Sequence, residues 1–217
     1  MSLELSGTTP AIKGVAGSVS APAITGDDAD TGISFPAANT IKFSTGGVER
    51  MSITDSGVTG ISPGITMADQ YRLTSNLSLS SNTFTTITSN WERPDQSGWG
   101  GIGTGMSESS GIFTFPQTGI YKITYFPLFD TSGSTVSNAW SYINCTINNS
   151  SYITFALACV SMQSGQMNST ALETYFDVTD VSTHKVQFQH YANVACIVSG
   201  NSDANRTSAS FVRLGDT

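Results

Sequence analysis

The segment Ser110-Gly111-Ile112-Phe113-Thr114-Phe115-Pro116-Gln117-Thr118-Gly119-Ile120-Tyr121-Lys122-Ile123 reads as two β-runs parted by a break. Past it the chain continues Thr124-Tyr125, so Tyr121, Ile123 and Tyr125 share one face and Lys122 and Thr124 the other. Strict alternation of this kind is the pattern of a half-buried strand. Pro116 and Gly119 interrupt the run and suit a tight reversal between two strands. Phe113 and Tyr121 would then present their rings to a common core.

The same rhythm extends outward. Lys185-Val186-Gln187-Phe188-Gln189 alternates with Val186 and Phe188 inward. Further strands are expected at Thr83 to Ile87, Trp140 to Ile147, Tyr152 to Val160, Leu172 to Val178, Val194 to Val198 and Ser208 to Leu214. About eight to ten short strands without a helical period predict an all-β sandwich or jelly roll over residues 67–217. All three Trp, all seven Tyr and nine of the eleven Phe lie in this region, which can therefore bury a core.

Two stretches carry family resemblances. Gly111, Phe113, Pro116, Gly119, Tyr121 and Ile123 fill a Gly-x-Phe-x-x-Pro-x-x-Gly-x-Tyr-x-apolar pattern. That pattern resembles the central signature of the C1q/tumour-necrosis-factor-like jelly rolls, where it joins two adjacent strands. The ending Thr207 to Gly215, with Phe211 and Gly215, is similar to the last strand of the same family. The resemblance implies a jelly-roll sandwich closed by the final strand, with these residues as scaffold.

Residues 1–66 read as an arm. They hold no Trp, Tyr or Cys and only Phe35 and Phe43, and Gly or Pro recurs every few residues. That density of breakers excludes helices. Short β-type runs such as Ile41 to Ser44 and Met51 to Thr54 remain, too poor in large side chains to offset backbone ordering of about 1–2 kcal/mol per residue. Ordering by winding with identical arms, or by docking on a partner, is the expectation. The segments Ser18 to Ile24, Asp28 to Ile33, Pro36 to Asn39 and Phe43 to Met51 are similar to a shaft unit of tail fibres of bacterial viruses, especially cyanophages. That resemblance implies a homotrimer, an extended and intertwined β-rich N-terminal arm, and a globular receptor-binding head.

Composition narrows the function. The chain has 217 residues, 12% of them charged, a formal net charge of −7 and a pI near 4.5. Nine scattered basic residues against sixteen acids argue against nucleic-acid binding, which needs clustered Lys and Arg. No apolar run is long enough for membrane insertion. Met1 to Leu5 has neither a basic nor an apolar leader region, so no secretory signal is expected. Cys145, Cys159 and Cys196, without metal or disulfide spacing, are expected to be buried, reduced thiols made in a reducing host cytoplasm.

Catalytic chemistry finds little support. No Gly-x-Ser-x-Gly frame is present, and no pairing among Glu92, Asp95, Glu108, Glu173, Asp177 and Asp180 stands out as a glycosidase pair. His184 and His190 lie six residues apart, roughly 20 Å when extended, too far to share a zinc. Asp27, Asp28 and Asp30 could suit Ca²⁺, yet Asp in a Gly-flanked turn more often bonds local backbone. No enzyme activity and no cofactor are expected.

Two loops are the candidate binding surfaces. Trp91, Arg93, Asp95 and Trp99 combine indoles, a guanidinium and an acid with flexible glycines, a mixture shared by glycan-binding surfaces and interface hot spots. The alternative for both Trp is packing at the sandwich edge or the trimer seam. Asn201, Asp203 and Arg206 lie in a second polar loop, Ser199 to Arg206. The leading expectation is a virion-surface protein, a trimeric fibre or knob contacting a host surface glycan or protein, its arm joined to another virion protein. A capsid-decorating protein and a polysaccharide depolymerase are the alternatives.

Overall fold

The computed structural model describes residues 16–60 and 64–217; expectations for residues 1–15 and 61–63 lie outside the described residues. The chain divides into two compact units, Met1–Pro63 and Gly64–Thr217. Every regular element among the described residues is a strand.

The first unit holds β1 (Ile24–Thr25), β2 (Gly32–Ser34), β3 (Ile41–Thr45), β4 (Val48–Thr54) and β5 (Gly57–Thr59), paired in that order as an antiparallel meander. Each strand is stopped by a turn, as at Gly46 and Gly47, both with positive φ. The register aligns Ile24, Ile33, Phe43 and Met51 in one cross-strand row, and Ile41, Ile53 and Val58 in another. Adjacent apolar rows make one face of the meander apolar. Ile24, Ile53 and Val58 stay exposed, and the buried side chains of this unit are Ser34, Ser44 and Ser52. A single sheet layer without an aromatic core is what the sparse large side chains allow.

The second unit begins with β6 (Met67–Leu73), β7 (Leu77–Leu79), β8 (Thr83–Thr86), β9 (Trp91–Glu92) and β10 (Ser107–Ser109). It continues with β11 (Ile112–Thr114), β12 (Gly119–Phe126), β13 (Leu128–Asp130), β14 (Val136–Thr146) and β15 (Ile153–Met162). Last come β16 (Met167–Ser169), β17 (Leu172–Val178), β18 (Lys185–Ala192), β19 (Cys196–Val198) and β20 (Ser208–Gly215). One sheet has the order β10-β11-β18-β14-β15, a second β17-β12-β20-β6-β9, and a four-stranded extension β16-β13-β19-β7. The unit is an all-β jelly roll whose closing strand, β20, lies mid-sheet between β12 and β6.

The core lies between the sheets. Tyr121, Ile123 and Tyr125 from β12, and Val186 and Phe188 from β18, are wholly buried, as alternation requires. Phe113 sits at the centre, its ring centroid 5.1 Å from Tyr71, 5.2 Å from Phe211, 5.3 Å from Trp91 and 5.6 Å from Phe188.

The break at Pro116 differs from the expected reversal. β11 pairs with β18 in one sheet, whereas β12 pairs with β17 and β20 in the other. Residues 115–118 therefore carry the chain across the sandwich instead of closing a hairpin. Phe115 fills the crossing, 4.6 Å from Tyr121 by ring centroid. Gly111 is required where it stands: its φ is +80°, and a Cβ would collide with the Ile87 carbonyl.

Cys145 and Cys196 are buried thiols, pushed up by desolvation, Cys196 to about 11. Cys159 is a correction to the sequence reading. It is exposed, because its position on β15 faces outward from an edge strand.

His190 lies wholly in the core. The Tyr125 hydroxyl is 2.8 Å from its Nε2 and the Ser141 hydroxyl 3.0 Å from its Nδ1. Desolvation lowers its pKa from 6.5 to about 3, so the folded ring stays neutral where the unfolded ring takes a proton. Between those two values the unfolded state binds more protons, and stability falls as pH falls. The expected loss from this one group is absent above pH 6.5, grows as pH falls below it, and reaches several kcal/mol near pH 3. Urea unfolding from pH 7 to pH 4 checks this: the slope of stability against pH should be shallower in His190→Gln than in the parent.

Candidate functional site

The loop between β9 and β10 carries four of the sequence-nominated residues, and the fold separates them. Trp91 is a correction. Register pairs it with Leu73, which turns its indole into the core, 9% exposed, against Phe113, Phe188 and Tyr125. A ring held there touches no ligand.

Arg93 and Asp95 are engaged within the chain. Arg93 donates from Nε and Nη2 to Asp69 at 3.0 and 2.9 Å, donates to the Met106 carbonyl, and lies over the Tyr71 ring. Asp95 accepts from Arg72 Nη2 at 2.6 Å, and Glu92 accepts from Arg72 Nε at 2.8 Å. The Arg72 side chain is wholly buried beneath these two acids. Both charged residues thus hold the loop to β6.

Trp99 is left half-buried on the outer side of the β6–β20 pair. Its indole walls a cleft of about 370 Å³ with Ala68, Gln70, Ser210 and Val212. The second nominated loop reaches the same place. Asn201 donates its backbone N–H to Leu73 O at 2.7 Å, and its side-chain oxygen accepts from the Asp203 N–H. Gln96 Nε2 donates to the Asp203 carbonyl at 2.8 Å, clasping one loop to the other. Asn205 Nδ2 donates to Gln70 Oε1 at 3.0 Å, and Gln70 Nε2 to Ser210 Oγ at 3.1 Å. Arg206 is exposed beside Asn205.

Sequence reasoning found both loops but missed Gln70 and Ser210, the polar floor between them. Each occupies an outward position of a strand. For Ser210 the alternation of the final strand was a usable signal; for Gln70, β6 itself went unread.

A second hollow of about 470 Å³ lies along Tyr71, Arg93, Met106, Glu108 and Pro116. Its charges are tied internally, since Glu108 Oε1 accepts the Gly111 N–H at 2.7 Å and Arg93 faces Asp69. In the first unit, Asp28 accepts from Thr31 Oγ1 at 2.7 Å and from the Asp30 N–H at 3.3 Å. The Thr31 bond holds the Asp28 carboxyl below its usual value, and hydrogen bonding to Asp28 raises Asp30. Asp27 is exposed and adds no further bond to that turn. His184 is 7% exposed and bonded to Thr179 and Thr183. Among the described residues no group of three His, Cys, Asp or Glu side chains could hold a metal ion. No helix among them is long and apolar enough to cross a membrane.

One face of the β14 sheet is unusually apolar. Tyr142 pairs with Leu157, and Trp140 pairs with Cys159 and Tyr191. Phe84 packs on Tyr142 and Tyr191 at 5.6 and 5.0 Å while remaining 57% exposed, and Leu157 is 54% exposed. β15 ends this sheet and carries neither a charge nor a proline. Long apolar edges without such guards pair readily with other chains.

The architecture is a TNF-like jelly roll. No family model matches the chain, and no curated protein matches it. Among solved structures, Eiger TNF from S. frugiperda is similar at a TM-score of 0.54 and 13% identity, covering 71% of this chain and 95% of that one. Murine APRIL at pH 8.0 gives 0.45 and 16%, covering 68% and 98%. The PRD1 vertex protein P5 gives 0.45 and 17%, covering 71% and 99%. At 13% identity the likeness to Eiger TNF is one of fold alone.

Proposed function

We propose that the chain is a non-enzymatic structural and binding protein of a virion surface, assembled as a homotrimer. The arm, residues 1–66, joins another virion protein, and the jelly roll, residues 67–217, faces outward to contact the host cell envelope. The observation that carries this reading is the pair of apolar faces left uncovered. One is the apolar face of the meander, where Ile24, Ile53 and Val58 stand exposed beside half-buried Ile33, Phe43 and Met51. The other is the Phe84-Tyr142-Leu157 surface beside the β15 edge. Exposed contiguous apolar area marks association surfaces, and closed symmetry covers such a surface with identical copies. The likeness of Ser18 to Met51 to fibre shaft units supports the viral setting.

The test begins with mass. Analytical ultracentrifugation of the full chain should give three copies per particle. Leu157→Asp, which would bury an unpaired carboxylate at the seam, should weaken assembly by a factor on the order of 100. A compact monomer for the parent, or an unaffected assembly for the variant, overturns the oligomer. Host cells should then retain the labelled trimer, and antiserum to it should block adsorption. Binding to empty capsids instead, at a copy number far above that of tails, would make it a decoration protein.

A further inference from the structure

We propose that the cleft beside Trp99 is a subsite for an uncharged saccharide unit. The inference rests on the receptor-binding reading above and names its ligand class. The wall is an indole, whose face stacks against the apolar C–H face of a pyranose ring. The floor mixes apolar Ala68 and Val212 with polar Gln70 and Ser210.

The polar pair is aligned but not saturated. Gln70 Nε2 gives one hydrogen to Ser210 Oγ at 3.1 Å, and Gln70 Oε1 accepts one from Asn205 Nδ2 at 3.0 Å. By inventory, the amide keeps one hydrogen and one lone pair, and the serine keeps its own hydrogen. Donors and acceptors side by side match adjacent sugar hydroxyls, each of which both donates and accepts.

Charge decides between sugar classes. The one ionised group lining the cleft, Asp69, has its carboxylate turned away to Arg93 and to the Met106 N–H at 2.7 Å. No Lys or Arg lines the cleft, and a net charge of −7 disfavours acidic sugars. The volume of about 370 Å³ falls within the roughly 300–1,000 Å³ typical of small-ligand sites. Gly98, at φ +94°, forms the turn that presents Trp99. A Cβ at Gly98 or Gly100 would meet nothing within 4 Å, so neither glycine is there for packing. Their bare backbone leaves the ring open to approach.

The full-chain protein is titrated with maltotetraose, chitotetraose and mannotetraose, and with a tetrameric polyuronate, following tryptophan fluorescence and heat. At least one neutral tetramer should bind, and the polyuronate should not. Trp99→Ala should weaken binding about tenfold or more, while Trp99→Phe, which keeps a ring, should lose about threefold or less. Melting temperature and oligomeric mass should match the parent in both variants. Absence of binding by every neutral tetramer overturns the proposal, as do preference for the polyuronate and undiminished affinity in Trp99→Ala. Cell adsorption separates the two readings. If Trp99→Ala adsorbs to cells like the parent, the cleft fails as a receptor subsite while the adsorption reading stands. If the parent binds a neutral tetramer through Trp99 but no cells, the cleft stands and the adsorption reading falls.

Discussion

Replacing Phe113 by Ala is expected to lower the free energy of unfolding by about 3–5 kcal/mol, as for large aromatic deletions in closed cores. Phe113 is 0% exposed, and its ring meets aromatic rings from both layers: Tyr71 and Phe211 on the β12 sheet, Phe188 on the β14 sheet. Deleting it removes its transfer free energy and leaves a cavity that two hydrogen-bonded sheets cannot collapse to fill. The neighbouring Ile112 points outward on the same strand and is 36% exposed, so Ile112→Ala should cost about 1 kcal/mol or less. Urea unfolding of both variants, followed by tryptophan fluorescence, makes the comparison. A Phe113→Ala loss below that of Ile112→Ala would remove Phe113 from the centre of the core.

Asp69→Ala is expected to cost about 2–4 kcal/mol by a different physical route, the stranding of donors that this buried carboxylate satisfies. The Asp69 side chain is 2% exposed and accepts from Arg93, from the Met106 N–H at 2.7 Å and from the Gln70 N–H at 2.9 Å. Without it the buried Met106 N–H has no acceptor, and Arg93 loses the anion it forks against. An orphaned buried donor alone costs about 1–3 kcal/mol. The damage should be local as well as global, because this carboxylate ties the 93–106 loop to β6. Hydrogen exchange should show the Met106 amide losing protection beyond the general destabilisation. By contrast, Glu173→Ala breaks the exposed Lys122–Glu173 pair and should leave the unfolding midpoint unchanged. Equal effects at Asp69 and Glu173 would contradict the burial argument.

Much of the jelly roll was legible in the chain. Leu172 to Val178 appears as β17 with the expected bounds, and the inward faces of β12 and β18 follow their alternation. Long strands with one buried face write a period of two into the sequence, so they can be read. Fifteen strands occupy the second unit where eight to ten were expected, and the surplus includes β7, β9, β13 and β16, each of two or three residues. Such strands are too short to establish a period, and their pairing partners lie far along the chain.

The candidate surface divides in the same way. Its two loops were visible from their composition, since Trp, Arg and Gly in one and Asn, Ser and Asp in the other are unsuited to a sheet interior. Nothing in that composition said that Trp91 turns inward and Trp99 outward. Trp91's direction follows from the register of a two-residue strand, Leu73 opposite Trp91, and Trp99's from the turn at Gly98.

The amino-acid sequence by itself determined the all-β class, the signature strands and the poverty of the first unit in bulky side chains, because these depend on local residue type and spacing. Only the tertiary structure decided that Pro116 marks a crossing between sheets, and that Arg93 and Asp95 clamp a loop. It likewise decided that Gln70, Ser210 and Asn205 gather beside Trp99. These outcomes depend on contacts between residues up to 140 positions apart, such as Gln70 with Ser210. A chain encodes such contacts through the packing of the whole, and no local pattern records them.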